Sequence, residues 1–360
     1  NQALQAYSSF HPDIILLDMH MPGMGGLDVI SHLRQDLKDH EVYILVITGE
    51  TSFQLKKDSL EQGANDYLIR PYHSEELLAR VGVAERQIKL RNQLKDAYVS
   101  IEREIEMLGD IQSRLLPSSD VRFPGMHIDS LFKPSGRASG DFFDYFRINE
   151  STVRMAVCDV SGHGARAAFL MGVVRTLIRL SETTRLDLTQ LVTTLNDSLV
   201  DIIGDETDFI SLFIADLDVQ ALTLTYINAG HCPGLVTDGK GSTITLGANI
   251  PILGVTRLTP EARTQELTRD SALFLYTDGI YEWRTPAGTF FDQDDFLHLA
   301  KKLIVRKELF LHDLMQALQN VAPDIPFRDD VTALYVQLDD SAHADSDQDE
   351  SGLSFQAVPE

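Results

Sequence analysis

Apolar and polar positions along this chain follow three successive styles. In residues 1–85, short continuous apolar runs at 14–17, 43–47 and 67–69 each end in turn residues and are followed by an amphipathic stretch. Uninterrupted apolar runs are the mark of strands buried on both faces, so the pattern predicts an α/β unit: a doubly wound, flavodoxin-like parallel sheet covered by helices. Residues 86–117 contain no proline before Pro117, and their charges are mixed. There Leu94, Tyr98, Ile101, Ile105, Leu108, Gln112 and Leu115 recur at alternating spacings of four and three, the period of a coiled-coil seam. A linker helix that Pro117 terminates is expected. It either packs on its own neighbours or pairs with a second copy as a parallel homodimer, with Gln112 as a register-setting polar seam residue.

Residues 118–338 change style again. Strand-like segments at 127–132, 153–158, 209–216, 221–227, 272–276 and 331–337 come partly in neighbouring pairs. Asn149-Glu150-Ser151 and Asp238-Gly239-Lys240-Gly241 read as hairpin turns. Helical patterns lie at 165–181, 188–203 and 309–320, which together predict an α+β domain with antiparallel sheets. Residues 339–360 hold seven acidic residues and no Lys or Arg, the composition of a solvated, disordered tail. The chain opens at Asn1 inside a helical pattern, so a fragment of a longer protein is expected.

Composition narrows the functional classes. With 31 basic against 54 acidic side chains, the net charge is −23, which argues against nucleic acid as a partner but not against divalent cations. No apolar run reaches membrane-spanning length, so no membrane association is expected. Cys158 and Cys232 are too few for a disulfide framework, which makes a reducing cytoplasm the default location.

Two constellations carry chemistry. Asp18 follows the first apolar run, Thr48 ends the second, and Arg70 ends the third. In a parallel sheet these three side chains converge at one edge, where a carboxylate, a hydroxyl and a cation can hold a phosphoryl group formed on the aspartate. The motifs LLDMHMPGMGG, VITG and DYLIRP resemble a two-component receiver domain over residues 1–85. That resemblance implies Asp18 as phosphoacceptor, Thr48 as switch hydroxyl and Tyr67 as the reorienting aromatic, with a sensor histidine kinase as partner. Arg70 stands where the family carries lysine, a substitution of a planar fork for a point charge. The family's first strand and acidic Mg²⁺-binding pair would precede residue 1, so the receiver is expected to be truncated here, Mg²⁺ belonging to the intact form. Docking without phosphorylation is the alternative role.

The second constellation is a set of aspartates at the ends of apolar segments: Asp141 in SGDFFD, Asp159 in CDVSGHG, Asp278 in YTDG, and Asp329-Asp330 before the last strand. Burying a lone carboxylate is costly, so a repeated placement invites a shared partner. Oxygen ligands without paired Cys and His suit Mg²⁺ or Mn²⁺ rather than Zn²⁺. The ordered motifs IQSRLLP, SGDFFD, DVSGHGARAA, NAGH, TDGIYE and DDVTALYV resemble the metal-dependent Ser/Thr protein phosphatases, the PPM family, in its SpoIIE-like branch. That resemblance implies two ions. Asp141, Asp159 and the Val160 carbonyl would serve one, and Asp159, Asp278 and Asp329 the other. Asp144 and Asp330 would support the ligands, with Asp330 also a possible ligand. His163 is either a general acid for the leaving oxygen or a loop-shaping residue, His231 is expected to shape its loop, and Arg137 is a candidate phosphate contact.

A receiver, a linker helix and a phosphatase in series imply a switch whose substrate, by the same resemblance, is a phosphorylated STAS-type anti-sigma-factor antagonist. The helices after DVSGHG are the expected responding element. The alternative is a non-catalytic adaptor with a degenerate phosphatase fold.

Overall fold

The computed structural model describes residues 2–49, 53–117, 123–162, 164–238, 240–285, 289–305, 309–322, 327 and 329–339. The chain divides into two compact units, Asn1–Glu102 and Arg103–Glu360. The expected tail, apart from Asp339, lies outside the described residues.

In the first unit, helix α1 (Gln2–Phe10) leads into strand β1 (Ile14–Asp18). Then follow α2 (Gly26–Ser31), a π-helical turn (His32–Asp36), β2 (Tyr43–Thr48), α3 (Phe53–Glu61) and β3 (Asp66–Ile69). The three strands form a parallel sheet in the order β1-β2-β3. The apolar runs are continuous because β2 is covered on both faces. Ile44 and Val46 pack with Leu17, Val29, Ile30 and Leu33, while Tyr43 and Leu45 pack with Leu68, Ala84 and Ile88.

Ala84 and Ile88 belong to α4 (Ser74–Leu115), a single helix of 42 residues. The helix thus begins before the expected linker start at residue 86. No proline interrupts residues 74–115, and the same helix that covers the receiver sheet continues as the linker. Within the predicted seam, only the Gln112 assignment is corrected. Leu94, Tyr98 and Ile101 are 72%, 62% and 56% exposed. Ile105, Leu108 and Leu115 are half-buried. Gln112 is only 6% exposed, with its amide hydrogen-bonded to the backbone of Ser139 in its own chain. An amide already paired inside the protomer is not available as a polar seam residue.

The second unit is a sandwich. Its strands are β4 (Met126–Lys133), β5 (Phe142–Arg147), β6 (Thr152–Val160), β7 (Ile210–Asp218), β8 (Thr223–Ala229), β9 (Gly234–Thr237), β10 (Thr243–Leu246), β11 (Arg263–Glu266), β12 (Ala272–Tyr276), the short hairpin β13 (Trp283–Arg284) and β14 (Phe290–Phe291), and β15 (Val331–Leu338). Its helices are α5 (Ala165–Thr184), α6 (Leu188–Ile203), α7 (Gln293–Ile304) and α8 (Phe310–Val321). Two five-stranded antiparallel sheets, ordered β10-β9-β12-β15-β4 and β11-β8-β7-β6-β5, face each other. Period-two alternation assigns the layers. On β6, Val153, Met155 and Val157 enter the core between the sheets, while Ala156, Cys158 and Val160 face α5 and α6. On the other sheet, Phe274, Tyr276, Ala333 and Tyr335 meet α7 and α8.

Helix α7 was not expected from the sequence, although Asp292 caps it through the amides of Asp294 and Asp295, both at 3.0 Å. Helix α6 carries a capping box between Asp187 and Gln190. One buried ion pair joins layers: Arg154 on β6 binds its cross-strand neighbour Asp216 at 2.6 and 2.7 Å, and reaches Ser181 of α5 at 2.7 Å. Removing the guanidinium strands a partly buried carboxylate, so Arg154→Ala is expected to lower unfolding free energy by about 3–5 kcal/mol. Urea denaturation checks this; a loss below about 1 kcal/mol would show the pair to be incidental.

Candidate functional site

Carboxylates reach one region of the second unit from four segments. Asp141 directly precedes β5, Asp159 lies near the end of β6, Asp278 opens a 3₁₀ turn after β12, and Asp329-Asp330 precede β15. Two glycines let the segments close. A Cβ on Gly140 would meet the Val160 carbonyl oxygen at 2.6 Å, and one on Gly279 would meet the Asp330 carbonyl oxygen at 2.0 Å.

Asp141 is buried, and its Oδ2 accepts hydrogen bonds from the hydroxyls of Thr277 at 2.7 Å and Thr332 at 2.8 Å. These threonines were missed in the sequence, although Thr277 adjoins Asp278 in TDG and Thr332 lies two residues after Asp330 in DDVT. Asp330 is buried and fully engaged. Its Oδ1 accepts from the backbone and hydroxyl of Ser135 at 2.7 and 2.9 Å, and its Oδ2 from the Ser139 hydroxyl and Gly140 amide at 2.7 and 2.9 Å. Asp329 is exposed, with Oδ1 accepting the Asp330 amide at 2.8 Å. Asp144 does not join the group. It is fully buried on the helix-facing side of β5, where Arg179 binds both its oxygens at 2.6 and 2.5 Å, which removes it as a possible ligand. His163 lies outside the described residues.

The electrostatics follow from crowding. Burial, then the charge of Asp159, holds the Asp141 carboxyl well above the usual range. Burial, with repulsion from Asp278, Asp329 and Asp330, raises Asp159 to about 7. Burial, with Glu282 and Asp329, raises Asp278 to about 6. A cleft of about 230 Å³ opens beside them, lined by Asp159, Ser211, His231, Cys232, Asp278 and Tyr281 among others. His231 is a buried loop residue. Its Nδ1 lies 2.7 Å from Ser211 Oγ, its amide donates to Asn228 at 2.8 Å, and burial lowers its pKa to about 4.

Oxygen donors under mutual repulsion fit a hard divalent cation. Among the described residues, no three His, Cys, Asp or Glu side chains close into a ready-made cage.

In the first unit, Asp18, Thr48 and Arg70 lie at or just beyond adjacent strand ends. Arg70 Nη1 is 2.9 Å from Asp18 Oδ2, and the Arg70 amide donates to the Thr48 carbonyl at 2.8 Å. The His20 amide donates to Asp18 Oδ1 at 3.0 Å and, with Arg70, lowers the Asp18 pKa. The half-buried Tyr67 ring sits 5.4 Å from Lys56 Nζ and 6.0 Å from the Arg80 guanidinium.

This combination of a parallel receiver-type sheet with an antiparallel sandwich flanked by helices defines a response-regulator receiver joined to a PPM-type protein phosphatase domain. The chain belongs to the Stage II sporulation protein E (SpoIIE) family, whose sequence model matches residues 149–339, and the response regulator receiver domain matches residues 1–82. Phosphoserine phosphatase RsbU of Bacillus subtilis is 27% identical over 64% of this chain and 69% of its own length. Phosphoserine phosphatase RsbP of the same organism is 27% identical over 51% of this chain and 46% of its own. The SiaA-PP2C domain of Pseudomonas aeruginosa shares the fold at a TM-score of 0.58 with 19% identity, covering 68% of this chain and 99% of that domain.

The raised carboxyl values predict a pH effect. In the metal-free chain the folded state retains the Asp159 proton up to about pH 7, whereas an unfolded Asp releases it near pH 4, so stability falls as pH rises through that window. His231 acts oppositely, because it stays neutral when folded and charges below about pH 6.5 when unfolded. Comparison with Asp159→Asn isolates the carboxylate. The variant's Tm advantage over the wild type is expected to grow from pH 5 to pH 8 in chelator, and to shrink when Mn²⁺ is added. An advantage independent of pH in thermal melts would contradict this.

Proposed function

We propose that this chain is a response regulator whose receiver controls a metal-dependent phosphatase acting on phosphoserine or phosphothreonine in a protein. The observation that carries the reading is the convergence of Asp141, Asp159 and Asp278, whose carboxyls are held above the ordinary range by burial and neighbouring negative charge. In this reading Asp141, Asp159, the Val160 carbonyl, Asp278 and Asp329 hold two Mn²⁺ or Mg²⁺ ions, which when bound supply an activated water and a clamp for phosphate oxygens. Thr277 and Thr332 occupy one oxygen of Asp141 and so fix the direction of the other. Asp330 shapes the loop before Asp141 through four hydrogen bonds rather than acting as a ligand. His163 is assigned the proton donated to the leaving serine or threonine oxygen.

The substrate proposed from the resemblance to the SpoIIE-like branch is a phosphorylated STAS-type anti-sigma-factor antagonist, which makes the output a partner switch in the cytoplasm; the likeness to the phosphoserine phosphatases RsbU and RsbP supports a phosphoserine on it. On the input side, a sensor histidine kinase phosphorylates Asp18 with Mg²⁺. The Arg70–Asp18 ion pair supports the reading, because a cation already stands beside the acceptor carboxylate. Thr48 and Tyr67 complete that switch. Two copies pair in parallel through the exposed α4 positions Leu94, Tyr98 and Ile101, continuing to Ile105 and Leu108. Neither nucleic acid nor a membrane is a partner in this reading; among the described residues, no helix is long and apolar enough to cross a membrane.

Two measurements test it. The chain is expected to hydrolyse p-nitrophenyl phosphate with Mn²⁺, with activity falling to background in Asp159→Asn. A wild type without activity would favour a non-catalytic adaptor. Light scattering is expected to give a dimer mass that Ile101→Lys halves, because a lysine in the seam opposes pairing. A monomer at every concentration would refute the pairing.

A further inference from the structure

The C-terminal turns of α4 press on the loop that leads to Asp141. Glu106, Gly109 and Gln112 recur every three residues and so share one helix face. The Glu106 carboxylate lies 3.7 Å from the Arg137 guanidinium. At Gly109 the contact is backbone to backbone, since a Cβ there would fall 1.8 Å from the Arg137 carbonyl oxygen. No side chain larger than hydrogen fits without moving the helix or the loop.

Gln112 completes the contact. Its Nε2 donates to the Ser139 carbonyl at 2.7 Å, and the Ser139 amide donates back to its Oε1 at 3.0 Å. A primary amide is suited to this, because it offers a donor and an acceptor side by side to the N–H and C=O of a single residue. The contact continues inward. The Ser139 hydroxyl donates to Asp330 Oδ2 at 2.7 Å and accepts the Asp141 amide at 3.0 Å. The Gly140 amide joins the same Asp330 oxygen at 2.9 Å. One buried serine thus connects a helix side chain to the backbone of Asp141 and the carboxylate of Asp330.

We propose that Gln112 is a positioning residue: through Ser139 it sets the placement of Asp141 and Asp330, and so makes cation affinity at the carboxylate cluster depend on the seating of α4. This rests on reading that cluster as a metal site. Ser139 is the first group of the site to feel a shift of α4. This inward route runs through the loop before β5.

A double-mutant cycle on Mn²⁺ affinity, read by isothermal titration calorimetry on the full chain, tests the relay. Gln112→Leu removes the outer link, and Ser139→Ala removes the inner hydroxyl while leaving its backbone pairing in place. Each is expected to weaken Mn²⁺ binding by about 10–100-fold, the usual effect of losing a group that orients a ligand. The double variant is expected to be no weaker than the worse single one, because both break the same chain of contacts. Gln112→Glu, which keeps the acceptor, replaces the leucine variant in the cycle if the latter does not fold. Fold changes that multiply in the double variant, or wild-type affinity in the Gln112 variant, would overturn the relay. A wild type that binds no Mn²⁺ would instead overturn the metal reading, and with it the relay as stated.

Discussion

Carboxylates that repel one another have to be held together by something other than their own attraction, and the second unit supplies this with strands, glycines and hydroxyls. Two antiparallel sheets fix the ends of β6 and β12 and the starts of β5 and β15 in one region. Gly140 and Gly279 allow the connecting backbones to touch. Thr277 and Thr332 hold Asp141, and Ser135, Ser139 and Gly140 hold Asp330. Burial, together with the remaining repulsion, raises the carboxyl pKa values, to about 7 at Asp159 and about 6 at Asp278. The apolar layers on both sheet faces fix the scaffold on which that strain is carried.

Helix α4 belongs to both units in a chemical sense. Its early residues Ala84 and Ile88 complete the core against Leu45 and Leu68, and its late residue Gln112 meets Ser139. Between them Leu94, Tyr98 and Ile101 are exposed apolar residues.

Much of the fold was legible because burial on both faces writes long apolar runs into the sequence. Residues 14–17 and 43–47 became β1 and β2, and the antiparallel character of the second unit followed from paired strands around Asn149-Glu150-Ser151. The convergence of Asp18 with Arg70 was legible too, because a parallel sheet aligns its strand ends. What sequence reading missed lay in three-dimensional context. Gln112 fits a heptad and was assigned to a seam, yet hydrogen bonding to a loop 27 residues away claims it. Asp144 shares its motif with Asp141, but lies on the other face of β5 beneath Arg179. Helix α7 was overlooked although its cap at Asp292 is a local signal.

The central claim is that the crowded aspartates exist to bind divalent cations. Anomalous X-ray scattering at the manganese edge, from crystals of the full chain grown with Mn²⁺, tests it most directly. The account predicts two peaks about 3.5–4 Å apart, one against Asp141 and Asp159 and one against Asp159, Asp278 and Asp329. A cleft without anomalous density at saturating Mn²⁺ would contradict it.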